Sequence, residues 1–221
     1  MFKSKIHPII IPQLEHARLS GLIAHFWGND KVDPPPVDPA SFTLGVTHHD
    51  RGYGHLDTMG IGEVDEAIWL ATQKRGIMTP LADAVADTVA LLHIRRLVAR
   101  NSHMAGAAEV LALADQFIER NIAQTKYSRH DFDRADFITD LCDMISFDFS
   151  FERYRTYDMP VFVHGSGDTQ SIHVKIGEGG RVQLQPWPLS VPDLRGFLIG
   201  YEVNGYPDHP RPVTVPYTIA P

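Results

Sequence analysis

The chain has 221 residues, of which 43% are hydrophobic and 21% charged, as expected for one substantial globular domain with a small appendage. Its net charge of -7 argues against a nucleic-acid partner, because phosphate backbones are bound by basic surfaces. No apolar run approaches the roughly 20 residues that span a bilayer. The single cysteine, Cys142, excludes an internal disulfide, so we expect a cytoplasmic protein with no membrane partner.

Helical periodicity, N-terminal caps and glycine stops predict six helices in the first two thirds of the chain. Pro12 suits the first turn of the first helix, and Asp38 and Thr79 are candidate N-caps for two others. His49 and Asp50 would lie at the C-terminal end of the second helix. The predicted helices cover residues 12–28, 38–50, 63–76, 79–101, 107–124 and 133–151.

The pattern changes after residue 157 to short segments rich in β-branched and aromatic residues, separated by glycine and proline. The predicted strands cover residues 159–164, 171–176, 181–187, 196–203 and 212–218, and GEGG at 177–180 is typical of a hairpin. The sequence therefore predicts a mainly α protein, with a helical domain over 1–157 and a small antiparallel β unit over 158–221. We expect the β unit to cover one edge of the site or to form a homodimer contact.

Five imidazole and carboxylate side chains lie on helix faces or helix ends that are otherwise suited to burial: His16, His49, Asp50, His93 and Asp143. Buried groups of this kind are costly unless they are paired or bound to metal. One shared cation would satisfy all of them. Nitrogen and carboxylate donors together suit manganese, iron, zinc, nickel or cobalt better than calcium.

Structural explanations remain open for several of these residues. A His-Asp dipeptide at a helix end is often a cap or a surface ion pair. A core histidine that is hydrogen-bonded to one carboxylate is common, which applies to His93. Asp140 and Asp136 compete with Asp143, because all three lie on one stripe of the same predicted helix. A solvated loop is the simplest interpretation of His55.

The segments QLEHARLSG, VTHHDRG, ALLHIRRL and LCDMISF carry these residues in the order His, His-Asp, His, Asp. This order resembles the HD-domain superfamily of metal-dependent hydrolases. Nearly the whole chain also resembles an uncharacterised bacterial family with Q-x-x-H, H-D-x-G and D-x-[LI]-S segments, which implies no activity. The HD-domain resemblance implies an HD-domain-like helical bundle that binds one or two divalent transition metals. It implies His16, His49, Asp50 and Asp143 as ligands, with His93 in the region where two-metal members add ligands.

The same resemblance implies hydrolysis of a small phosphorylated molecule by metal-activated water. Asp50 and His93 would then be catalytic, and Arg51, Tyr53 and His55 would contact the substrate. Many HD-domain enzymes have a phosphate-binding lysine where this chain has Tyr53, which carries no positive charge; Arg51 is the nearest replacement. Two alternatives stay open, a non-catalytic module that binds a small molecule or a metal, and a di-iron oxygenase.

Overall fold

A computed structural model describes residues 1–221. The six helices are α1 (Gln13–His25), α2 (Pro39–Thr47), α3 (Glu66–Ile77), α4 (Ala84–Arg100), α5 (Ala107–Ile122) and α6 (Arg129–Ser150). The seven strands are β1 (Phe2–Lys3), β2 (Ile9–Ile11), β3 (Arg155–Phe162), β4 (Thr169–Gly177), β5 (Arg181–Gln185), β6 (Leu194–Glu202) and β7 (Pro212–Ala220). Short 3-10 turns lie at Gly54–Leu56 and Glu178–Gly180.

The prediction of a mainly α bundle with a small C-terminal β unit is wrong. Helices make up 43% of the chain and strands 22%, and all seven strands form one mixed sheet. The strand order is β1-β2-β6-β7-β5-β4-β3. Every neighbouring pair is antiparallel except β5 and β7, which are parallel over Arg181–Gln183 and Thr218–Ala220. The sheet therefore includes strands from both ends of the described chain. It is not purely antiparallel, because one pair of neighbouring strands is parallel.

The N-terminal strands are the elements that the sequence analysis missed. The apolar run Ile9–Ile11 is only three residues long, too short to show either helical or strand periodicity. It pairs with β6 through Ile9↔Glu202 and Ile10↔Tyr201. Pairing with a distant strand decides its conformation, since β structure depends more on context than on intrinsic preference.

Local capping chemistry explains where the helices begin. Asp38 caps α2 by accepting from the backbone N–H of Ser41 at 2.9 Å, as predicted. The predicted cap Thr79 is wrong, because Asp83 caps α4 by accepting from the N–H groups of Val85 and Ala86. Helix α6 begins four residues earlier than expected, behind a capping box formed by Ser128 and Asp131.

Helix α2 ends at Thr47, so His49 and Asp50 lie in the turn that follows it and not on the helix itself. Gly45 lets α2 approach α4 closely. A Cβ atom at this position would lie 2.6 Å from the carbonyl oxygen of Ala86 and 2.7 Å from Val89 Cβ. The close approach places the rings of His49 and His93 in contact, with centroids 4.4 Å apart.

Helices and strands share one cluster of 41 buried hydrophobic residues. Helix α1 contacts β6, and α6 contacts β3 and β4, so these two helices connect the sheet to the rest of the helices. The division at residue 157 stays a prediction. None of the helices combines the length and the apolar composition that crossing a bilayer requires.

Candidate metal centre

Four of the predicted ligands converge from three parts of the fold. His16 lies on α1, His49 and Asp50 follow α2, and Asp143 lies on α6. The side chains of all four are almost completely buried, with exposed fractions of 8% or less. The sequence separates these residues widely, so only the packing of α1, α2 and α6 brings them together.

The donor atoms have the spacing of ligands around one ion. His16 Nε2 lies 3.2 Å from His49 Nε2, 3.1 Å from Asp143 Oδ1 and 3.6 Å from Asp50 Oδ2. His49 Nε2 lies 3.5 Å from each of the same two carboxylate oxygens. Four ligands at about 2.1 Å from a tetrahedral metal lie about 3.4 Å from one another, so these five distances fall in the range found around a transition metal.

The hydrogen bond of His49 to the backbone leaves Nε2 as the nitrogen that its neutral ring can present to this group. Its Nδ1 lies 2.6 Å from the carbonyl oxygen of Val46, an arrangement that requires a proton on Nδ1. In the neutral ring, Nε2 is then unprotonated and faces the carboxylates of Asp50 and Asp143. This carbonyl–imidazole arrangement is the usual way in which a protein orients a metal-binding histidine.

The electrostatics of the group favour a cation at the same point. Burial disfavours the charged imidazole, but the carboxylates of Asp50 and Asp143 outweigh it and raise the pKa of His49 to about 9. Burial also disfavours the charged carboxylates, yet the surrounding histidines lower the pKa of Asp50 and hold that of Asp143 well below its usual range. Both carboxylates are therefore ionised, and positive charge between them is favourable.

Two residues of the sequence motifs, Gln13 and Ser146, hold the candidate metal ligands in position through hydrogen bonds. Gln13 Nε2 donates to Asp50 Oδ2 at 3.2 Å, and the backbone N–H of Gln13 donates to Asp57 Oδ1 at 2.9 Å. Ser146 Oγ donates to the carbonyl oxygen of His16 at 2.7 Å, which ties α6 to α1 beside the donors. The Q-x-x-H and D-x-[LI]-S segments therefore each supply one donor and one residue that fixes its surroundings.

His93 lies beside the group but in a different hydrogen-bonding arrangement. Arg96 Nη2 lies 3.0 Å from His93 Nδ1, and arginine can only donate, so Nδ1 carries the lone pair. The neutral ring then has its proton on Nε2, which lies 3.4 Å from Asp50 Oδ1. Burial and the charge of His49 lower the pKa of His93, which keeps this ring neutral. A protonated nitrogen binds no metal, so the role of His93 as a ligand stays a prediction.

Asp140 and Asp136 lie outside the donor group. Asp140 forms ion pairs with Arg96 at 3.1 Å and with Arg100 at 2.7 Å. Asp136 also pairs with Arg96. Asp143 faces His16, as the sequence analysis preferred, because one helical turn separates it from Asp140 with a sideways rotation of about 60°.

Arg51 points away from the donors. Its Nη1 donates to Asp87 Oδ1 at 2.6 Å and its Nε donates to the carbonyl oxygen of Gly76 at 2.7 Å. Asp87 also accepts from Leu81 N at 2.8 Å and from Asn121 Nδ2 at 2.6 Å. Arg51 thus connects the turn after α2 to α3 through Gly76, to α4 through Asp87 and, through Asp87, to α5. Its guanidinium group does not lie beside the donor group, where the sequence analysis predicted a substrate contact.

Tyr53 lines a cavity of about 470 Å³ that opens above the donors, whereas His55 is exposed and does not line it. The hydroxyl oxygen of Tyr53 accepts from Trp69 Nε1 at 2.7 Å and from Gln73 Nε2 at 2.6 Å. His16, Asp50, His93 and Asp143 form one part of the cavity wall. The cavity therefore gives a small molecule access to the donor atoms.

Sequence reasoning missed the part of the site that comes from β1. Phe2 lines the cavity, and its ring packs on that of His16 with centroids 4.6 Å apart. It also packs edge to face with Phe147 and Phe151. No local pattern marks Phe2. Arg96 was also missed, although its position three residues after His93 was a detectable signal.

Comparison with known proteins adds one similarity. The model of a family described as "Protein of unknown function (DUF3891)" matches residues 2–63. That segment holds Gln13, His16, His49 and Asp50 but not His93 or Asp143. No curated protein and no solved structure matches the chain. Membership of the HD-domain superfamily stays a prediction.

Proposed function

We propose that this protein is a metal-dependent hydrolase that acts on a small organic molecule. One divalent transition metal ion would be held by His16, His49, Asp50 and Asp143. The observation that supports this most directly is the set of five donor–donor distances between 3.1 and 3.6 Å. The neighbouring cavity of about 470 Å³ is large enough for a substrate.

An ion at this point fits the donors chemically. Two imidazole nitrogens and two carboxylate oxygens are a typical set for manganese, iron, zinc, cobalt or nickel. When bound, such an ion polarises an oxygen of the substrate and lowers the pKa of a coordinated water from about 15.7 towards about 7.

The residues of this chain would orient the reacting groups. Gln13 holds one oxygen of Asp50. His93 holds a proton on Nε2 towards the other oxygen, and Arg96 fixes that tautomer. Phe2 and Phe147 shield the His16 side of the donors from water. Shielding strengthens the electrostatic interactions inside the site.

We prefer one ion to two. A second ion would use the group His49, Asp50 and His93, whose donor atoms also lie close together. That arrangement requires His93 to release the contact with Arg96 and to move its proton to Nδ1. The di-iron alternative therefore has less support from the contacts than a single ion.

Metal analysis and hydrolysis assays test the proposal together. The purified protein should contain close to one transition metal ion per chain by inductively coupled plasma mass spectrometry. It should hydrolyse members of a panel of generic 4-nitrophenyl esters and phosphoesters, and chelation should abolish that activity. Stoichiometric metal without hydrolysis of any panel member would favour the non-catalytic binding module. Absence of metal after supplementation with each candidate ion would refute the hydrolase and a metal-binding module, and would leave only a module that binds a small molecule.

A further inference from the structure

We propose that the ligand of the cavity is an uncharged organic molecule with an apolar body and one oxygen acceptor, and not a phosphorylated molecule. The oxygen end would face the donor group and the apolar body would fill the outer cavity. This inference rests on the proposed function, since it assigns a substrate class to the same site.

The walls of the cavity are predominantly apolar. Of the 22 residues that line it, 12 are hydrophobic. They include Phe2, Trp69, Leu97, Met104, Met144 and Phe147. Aromatic rings and thioethers offer a large, adaptable contact surface for hydrocarbon. A phosphorylated or highly hydroxylated ligand would lose its hydration against these walls without compensating hydrogen bonds.

The charges around the cavity do not suit a phosphate group. Arg51 donates to Asp87 and to Gly76 and does not line the cavity. The one arginine that lines it, Arg100, pairs with Asp140 at 2.7 Å, and Glu66 adds a further negative charge to the wall. A divalent ion bound to two carboxylates leaves no net positive charge for a phosphate dianion. Phosphate-binding sites ordinarily supply several donors or cations.

Beyond the donor group, Tyr53 supplies a hydroxyl that can donate into the cavity. Its oxygen already accepts from Trp69 Nε1 and from Gln73 Nε2. Both acceptor positions of the hydroxyl are therefore occupied, and its own proton is available to donate. Burial, followed by the charge of Asp50, raises the pKa of Tyr53, so the hydroxyl stays protonated. A carbonyl or ether oxygen on the ligand is the complementary group.

Calorimetric titration of the metal-loaded protein tests the ligand class with three probes. Octanohydroxamic acid and acetohydroxamic acid share one metal-binding group and differ only in chain length, and inorganic phosphate represents the rival class. We expect octanohydroxamic acid to bind at least about tenfold more tightly than acetohydroxamic acid, because its extra methylene groups bury apolar surface. Phosphate should bind more weakly than both. Equal affinity of the two hydroxamic acids, or tightest binding of phosphate, would overturn the proposal.

A pair of variants locates the effect in the cavity. Met104→Lys places a charge in the apolar wall and should remove most of the advantage of octanohydroxamic acid, while acetohydroxamic acid binds as before. Met78→Lys is the matched control, because Met78 is 57% exposed and lies outside the cavity. If Met104→Lys still binds octanohydroxamic acid more tightly than acetohydroxamic acid by the same factor, the apolar chain does not pack against the cavity wall at Met104.

A metal-free measurement separates this inference from the proposed function. Octan-2-one has an apolar chain and one carbonyl oxygen and does not depend on chelation. It should bind the chelator-treated protein, with competition by octanohydroxamic acid. Binding of octan-2-one by a protein that takes up no metal would support the ligand class while the hydrolase proposal fails. No binding of octan-2-one would reject the ligand class, whatever the metal content.

Discussion

His16 Nε2 on the first helix and Asp143 Oδ1 on the last helix face one another at 3.1 Å, with 1% and 8% of their side chains exposed. The contact joins two ends of the helical layer at one point, and His49 and Asp50 complete the group. Ser146 reinforces it, since its hydroxyl donates to the carbonyl oxygen of His16 one helical turn from Asp143. The relationship singles out Asp143 among the acidic residues of α6.

Asp143→Asn should lower the affinity for metal by at least about tenfold to a hundredfold, because the neutral amide is a far weaker ligand than a carboxylate. Asp140→Asn is the matched control on the same helix and should retain metal. Metal content by mass spectrometry, with circular dichroism to verify folding, makes the comparison. Equal metal loss in both variants, or loss in Asp140→Asn alone, would contradict the assignment.

The donor group could be predicted from sequence because each member interrupts a helix face or helix end with a polar side chain. Helical periodicity places Asp136, Asp140 and Asp143 on one stripe of α6, so the preference for Asp143 comes from the match to the D-x-[LI]-S segment and not from helical spacing. The sheet could not be predicted in the same way, because β2 consists of three residues whose partner, β6, lies near the other end of the chain. The role of Arg51 depends on its contact with Asp87, and the role of Phe2 depends on its contact with His16. Contacts between residues so far apart in the sequence leave no local signal.

Metal should stabilise the folded protein against heat. A ligand that binds only the native state at 100 times its dissociation constant adds about 2.7 kcal/mol. For a chain of this size that corresponds to an increase in Tm of roughly 5–10 °C. Differential scanning fluorimetry with and without added Mn²⁺ or Zn²⁺, and after chelation, measures the shift.

Two neighbouring histidines provide a test variant and its control for that experiment. His49→Ala should lose the metal-dependent shift, because it removes a donor at the centre of the group. His48→Ala should keep it, because His48 caps the C-terminal end of α2 and is not a member of the donor group. A metal-dependent shift in His49→Ala as large as in the unaltered protein would refute the site.

The contact between Arg96 and His93 predicts a specific tautomer. In the metal-free protein, His93 should carry its proton on Nε2 and a lone pair on Nδ1. Long-range proton–nitrogen correlation spectra distinguish the two tautomers, and a zinc-loaded sample shows whether the assignment persists. Arg96→Met removes the donor and should allow the other tautomer to appear. A proton on Nδ1 in the zinc-loaded protein would instead support His93 as a second-ion ligand.

Arg51 should contribute to stability and not to substrate binding. Its side chain and that of Asp87 are 5% and 2% exposed, so Arg51→Ala leaves a buried carboxylate without its cation. The expected loss in free energy of unfolding is about 3–5 kcal/mol. Lys74→Ala breaks the exposed pair with Glu109 and should cost less than about 1 kcal/mol. Urea unfolding compares the two, and similar small losses would show that the Arg51–Asp87 pair is not structurally important.

Tyr53→Phe removes the one hydroxyl that is free to donate into the cavity. The variant should bind octan-2-one about two- to tenfold more weakly, in line with a net contribution of about 0.5–1.5 kcal/mol from one hydrogen bond. Tyr154→Phe is the matched control, because Tyr154 is 37% exposed and does not line the cavity. Calorimetry on metal-free protein isolates the contribution of the hydroxyl from that of the metal. Unchanged affinity in Tyr53→Phe would show that the ligand oxygen does not accept from Tyr53.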